Sequence, residues 1–282
     1  MKKRVIITIA LILLFLVGLS ILLYPIVADY VNSQSQSRVI ARYSEELSHL
    51  NETDYSDILE SARAYNRRLI NKQNRFVLND EELEEYHAAL DFTGKGVIGT
   101  LEIEEIKVKL PVYLGTSESI LQVGIGHLEG SSLPIGGSGT HSVVSGHRGL
   151  PSSTLLNNVD KLEIGDTFVL KILNETLTYQ IDHIVIVDPD NYEYLEIDSE
   201  KDYCTVFTCT PYGINTQRLL LRGCRIYPEE PEKNDEEQMI NTNQTLRSDA
   251  NKTPPVVGYV LITVPILILS LMYMFVRYRK TK

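Results

Sequence analysis

Thr205-Val206-Phe207-Thr208-Cys209-Thr210-Pro211-Tyr212-Gly213 joins a β-branched and aromatic run to a proline and a glycine, with a cysteine at the junction. The first half has strand composition, and Pro and Gly cannot continue it, so the pattern predicts a strand over Cys204 to Thr208 with Cys209 at its mouth. A thiol at a strand mouth is open to substrate, whereas a thiol within a strand is usually inert core. Cys204 and Cys224 lie within β patterns and read as core. Cys204 is five residues before Cys209, so a regular strand points the two side chains to opposite faces.

Further runs of the same texture surround this one: Val97 to Ile103, Lys107 to Tyr113, Ser142 to Ser145, Thr167 to Ile172, Leu177 to Val187 and Arg218 to Ile226. Gly165-Asp166 and Asn174-Glu175 punctuate them as turns. Short strands at such intervals predict a barrel or sandwich over residues 94–228. Before it, residues 29–93 read as helical: Ser33 to about Leu50, Asp54 or Ser56 to about Lys72, and Asn79 to Leu90, the last capped by Asn79 or Asp80. After it, residues 229–255 are polar and acidic with almost no apolar content, the composition of a flexible tether.

The two ends are of another kind. Val5 to Leu23 is apolar or small throughout, and apolar character continues with one break to Ala28, which predicts an uncleaved anchor over residues 1–28. Residues 256–276 carry no charge and are followed by a basic tail, 277–282, predicting a second span. Lys2, Lys3 and Arg4 flank the first span, and Arg277, Arg279, Lys280 and Lys282 the second, so both termini are expected in the cytoplasm and the segment between them outside the cell. The net charge of −10 argues against a nucleic-acid partner, which would need a basic stripe, and none is expected. The sequence holds no Gly-rich phosphate loop and no Cys/His spacing for zinc, and neither cofactor nor metal is expected. Three cysteines in an exported segment leave at least one thiol unpaired within the chain.

Two further residues could act with Cys209. His147 stands at another strand end, in Ser145-Gly146-His147-Arg148-Gly149-Leu150-Pro151, and Arg218 opens the apolar strand Leu219-Leu220-Leu221. Of the other histidines, His49, His87 and His183 read as structural. His127 and His141 lie in loops of small residues and are the rivals of His147.

Thr205 to Cys209 resembles the sortase signature Thr-Leu-x-Thr-Cys, with Val206 in place of leucine, and Arg218 on the following strand completes it. Gly146-His147-Arg148-Gly149-Leu150-Pro151 is similar to the run around the histidine of class C sortases, the Gram-positive enzymes that polymerise pilins. Val112 to Ser117, Gly126 to Pro134 and Cys209 to Thr216 also resemble that class, and the likeness spans roughly residues 55 to 227. It implies an eight-stranded sortase-type β-barrel with N-terminal helices, flanked by two transmembrane helices. It also implies a cysteine transpeptidase with Cys209 as nucleophile, His147 as proton partner, Arg218 at the reacting carbonyl and Thr208 helping to position substrate. The implied partners are pilin subunits bearing sorting signals like Leu-Pro-x-Thr-Gly, and the lipid bilayer; the alternatives are a sortase of another class, attaching proteins to peptidoglycan, and a non-catalytic membrane-tethered assembly module. The sequence departs from the class at one point. No Asp-Pro-aromatic lid triplet lies between Ala64 and Phe92, and the nearest aromatic run is Asn74-Arg75-Phe76.

Overall fold

The computed structural model describes residues 2–227. The expected tether, second span and basic tail lie outside the described residues. Val31–Tyr227 forms one compact unit, so the helical region and the barrel share a single body.

Besides three short 3-10 turns, the described chain has four α-helices and eight strands: α1 (Lys2–Leu47), α2 (Glu52–Leu69), α3 (Asp80–Leu90), β1 (Val97–Ile103), β2 (Val108–Leu114), α4 (Glu118–Leu121), β3 (Ile125–His127), β4 (Thr140–Ser145), β5 (Thr167–Ile172), β6 (Glu175–Val187), β7 (Asp202–Thr210) and β8 (Gln217–Ile226). The strands close a barrel in the order β1-β2-β3-β4-β7-β8-β6-β5. Pairs β2–β3 and β4–β7 are parallel, and the rest are antiparallel.

The anchor and the helix expected after it are one helix, α1, which runs through Pro25. A proline removes one backbone donor and crowds the preceding turn, but here the turns on both sides remain helical. Among the described residues, α1 alone is long and apolar enough to cross a bilayer. Each of the next two helices starts at a reciprocal cap. Asn51 accepts from the Asp54 backbone N–H while the Asp54 carboxylate accepts from the Asn51 N–H, and Asn79 and Glu82 repeat the arrangement. Such caps satisfy backbone donors that a helix start leaves open.

Polar side chains tie the helices to the barrel. The Tyr43 hydroxyl of α1 donates to Ile98 O and accepts from Leu173 N, at 2.7 and 2.9 Å. From α2, Asn66 exchanges two hydrogen bonds with the Leu133 backbone. Tyr86 of α3 is fully buried and meets the Gly115 N–H and the His127 ring. The main core fills the barrel with inward residues such as Leu101, Val112, Ile125, Val144, Leu170, Val206 and Leu221. Each such side chain removed from water contributes about 1.5–3 kcal/mol.

A second, smaller apolar cluster lies on the outer face of the β4–β7–β8 sheet: Val143, Val187, Leu195 and Leu220, packed with Phe76, Leu128, Val185 and Phe207. Two segments converge on it. One is the strap 70–79 between α2 and α3, and the other is the connection 188–201 between β6 and β7. Phe76 stacks on Tyr192 with ring centroids 4.8 Å apart. The buried Arg75 guanidinium donates to Leu195 O and lies 3.9 Å from the Glu196 carboxylate. The strap runs so close to Gly130 that a Cβ there would stand 2.1 Å from Arg75 O, and φ of +83° independently favours glycine.

Candidate active site

Register brings the three sequence-predicted residues together. In the antiparallel β7–β8 pair Cys209 is opposite Arg218, and cross-strand partners share a face. On the other side of β7, parallel β4 pairs Ser145 with Phe207. Two contacts carry the pairing past the end of β4: Gly146 N–H to Phe207 O at 3.3 Å, and the Thr208 hydroxyl to Gly146 O at 2.7 Å. Continuing that register by two residues sets His147 level with Cys209. Cys209 and Arg218 thus stand opposed on the outer face of β7 and β8, and His147, in the loop just past β4, continues the row at the same level. Phe207 and Leu220, two residues inward along β7 and β8, lead from the row into the outer apolar cluster.

Cys209 and Arg218 are half-buried, and the His147 side chain is 24% exposed. The Arg218 guanidinium is held by Nη1, which donates to Asn215 O at 3.3 Å and Gln217 O at 3.1 Å. Asn215 lies in the β7–β8 turn and Gln217 opens β8; the turn closes through Ile214 and Asn215 N–H bonds to Pro211 O. Thr208 takes the opposite face: its hydroxyl is buried and clips β7 to the backbone immediately before His147. Any effect it has on substrate runs through that backbone.

Support for the row includes two residues that sequence reasoning did not single out. Glu118 of α4 meets His147 Nε2 with both carboxylate oxygens at 3.2 Å. Hydrogen bonds from Gln122 and then His147 hold its carboxyl below the usual carboxylate range. Arg148 pairs with Asp160 at 2.6 Å, donates to Asn157 O and lies over the Tyr212 ring, so the residue next to His147 is fixed to the connection before β5. A separation of 29 residues left no pattern by which the Glu118 contact could have been found.

The rival histidines are elsewhere and enclosed. His127 meets the Tyr86 hydroxyl and Ser132 O, both at 2.8 Å, and His141 meets Glu196 O and the Thr205 hydroxyl at the same distance. Burial pushes both rings down to about 4, so both are neutral and unavailable near pH 7. All three cysteines are free. Cys204 is buried in the core, and burial raises its thiol pKa far above the ordinary value. Cys204 pairs with Gly223 and Cys224 with Tyr203, which sets the two on opposite faces and rules out a disulfide between them.

A cleft of about 410 Å³ opens behind the β7–β8 turn, lined by Thr210, Tyr212, Leu219, Ile186 and the Arg148–Asp160 pair among others. It lies on the face opposite Cys209, because Thr210 and Leu219 alternate with Cys209 and Arg218. The strap and the 188–201 connection occupy the ground beside the row itself.

Residues 101–226 match the sortase domain family. A crystal structure of sortase C1 from Streptococcus agalactiae is 48% identical with a TM-score of 0.65, and the alignment covers 68% of this chain and 100% of that one. The chain belongs to the sortase family. Sortases are transpeptidases, and the solved neighbours of this sortase are of the C type, as the class C resemblance anticipated. Another is sortase C from Clostridium perfringens with the C-terminal cell wall sorting motif, 41% identical, TM-score 0.60, covering 68% of this chain and 99% of that one. Sortase D of Bacillus subtilis is 32% identical over 131 residues, which is 45% of this sortase and 63% of that protein. The match thus spans somewhat less than two thirds of that curated relative's length. The eight-stranded barrel with N-terminal helices agrees with expectation; of the two expected spans, only the first falls on described residues.

Proposed function

We propose that this sortase cuts a sorting signal of the Leu-Pro-x-Thr-Gly kind between Thr and Gly and joins the Thr carboxyl to a lysine amine of a pilin subunit. The row of Cys209 on β7, Arg218 on β8 and His147 just past β4 supports the reading, because a thiol so placed has an imidazole on one side and a cation on the other. Cys209 Sγ attacks the Thr carbonyl carbon, and Arg218 donates to the oxygen as charge develops on it, a task suited to a permanently charged planar fork. The C–N bond breaks, His147 delivers a proton to the departing glycine amine, and a thioester remains. Attack by the lysine nitrogen then breaks the C–S bond, with its proton passing to His147 and the thiolate restored. The product is an isopeptide bond, and repetition gives a covalent polymer.

The pilin acceptor is supported by the C-type neighbours, one of which is described as sortase C1 of a pilus island. An apolar first half of α1 supports anchoring in the cell membrane, and the basic flanks support cytoplasmic termini with the barrel outside. The test incubates the detergent-solubilised full chain with purified pilin. A ladder of high-mass species, lost in Cys209→Ala together with the thioacyl adduct, is the expected result. Transfer only to peptidoglycan-type amines would move the assignment to another sortase class, and a thioacyl adduct in Cys209→Ala would overturn the nucleophile.

A further inference from the structure

We propose that Glu118 is a positioning residue for His147, and that Gln36 of α1 holds together the two segments on which this pair stands. The inference rests on the reading of His147 as the proton carrier. His147 follows the end of β4, in a loop with no strand partner beyond Gly146, so the sheet alone does not fix its ring. Glu118 does. Its two oxygens lie at equal distance, 3.2 Å, from Nε2, and Gln122, one turn on, donates to Oε1 at 3.1 Å and orients the carboxylate. With Nε2–H given to Glu118, Nδ1 is the nitrogen left to exchange protons with thiol and amine. This is the familiar logic of a base oriented by a third group.

The pair joins two segments far apart in sequence, and α1 clamps both. Gln36, buried at 8% exposure, donates through Nε2 to Val123 O at 3.0 Å, just beyond α4, and reaches Ser153 Oγ at 3.5 Å in the loop that follows His147. One turn earlier, Asn32 donates to Ser152 O at 2.8 Å. A single helix therefore sets the spacing between the Glu118 segment and the His147 segment. The carboxylate is 67% exposed, so its contribution is one of orientation, within reach of solvent, and a small carboxylate can enter its place.

The experiment measures acylation of Cys209 in the full chain in detergent micelles, using a fluorescence-quenched Leu-Pro-Glu-Thr-Gly peptide. Glu118→Ala is expected to lower kcat about tenfold with KM changed less than twofold. Glu118→Gln, which keeps an acceptor oxygen, is expected to fall between it and the parent. Sodium acetate is expected to restore part of the Glu118→Ala rate and to leave the parent unchanged, which a merely structural role would not produce. Gln36→Leu is expected to lower kcat about threefold, and to add little in combination with Glu118→Ala because both act on one pair. His147→Ala distinguishes the positioning role from the proposed function. If it is inactive while Glu118→Ala keeps the parental kcat, the positioning role is refuted and the proposed function stands. If His147→Ala retains full acylation, both fall. A loss in Glu118→Ala that appears only in KM, or that acetate leaves unrepaired while the melting temperature drops, also refutes the positioning role.

Discussion

Acidification is expected to destabilise this sortase through two enclosed histidines that lie outside the proposed row. His127 and His141 are enclosed, and their rings are pushed from 6.5 down to about 4 by burial. The unfolded chain therefore binds more protons than the folded one between these values. Stability is full above about pH 7 and is lost as the pH falls through 6.5 towards 4. At pH 5 each ring costs about 2 kcal/mol, and roughly 4 kcal/mol together, taking about 1.4 kcal/mol for each tenfold change in protonation preference. That is a large part of the roughly 5–15 kcal/mol that holds a domain folded. Asp202 acts in the opposite sense, because burial raises its carboxyl and the folded state takes up its proton first; this offsets part of the loss at the acid end. For a body of this size, about 4 kcal/mol lowers the melting temperature by roughly 10 °C. Thermal unfolding of the full chain in detergent, followed by tyrosine fluorescence at pH 7.5 and 5.0, measures it. His147→Ala should keep the same pH dependence and His127→Asn should lose about half. Equal melting temperatures at the two pH values, or a dependence abolished by His147→Ala, would refute the assignment of His127 and His141 as enclosed and neutral.

Two further outcomes follow from the packing. Thr208→Val removes the hydroxyl that clips Gly146 O and leaves a buried carbonyl unpaired, so it should cost about 1–3 kcal/mol and lower the acylation rate about tenfold. Thr208→Ser should restore most of both, and a Val variant with parental rate would separate the clip from catalysis. Phe76→Ala uncovers the apolar ground beside Phe207 and Leu220; a lower KM for the sorting peptide with a melting temperature reduced by a few degrees is expected, and an unchanged KM would show that the strap does not obstruct peptide.

Most of the barrel was legible because its strands alternate and are bounded by turn residues. Val97–Ile103 and Thr167–Ile172 have the expected limits, and five other strands shift by one or two residues at an end. The strand that escaped was β3, Ile125–His127. Three residues flanked by glycines carry no period, and the strand exists only because β2 and β4 supply its partners. The anchor and the helix from Ser33, read as separate elements, are one continuous helix, α1. At the site, Cys209, His147 and Arg218 stood out as polar residues at strand ends. Their alignment was not legible, since it depends on a pairing between β4 and β7 that no local pattern encodes. Glu118 was invisible for the same reason, and Thr208 was legible as a neighbour of Cys209 but not as a residue turned away from it.

The row on β7 and β8, with His147 just past β4, has one more consequence. Because side chains alternate along a strand, inserting or deleting one residue in β7 before Cys209 would turn the thiol to the barrel interior, so these strands can change in composition but not in length. The strap 70–79 and the connection 188–201 lie off the ladder and are free of that rule. Length changes there leave the thiol on the outer face, so the surroundings of the row can be remodelled without moving the reacting groups off it.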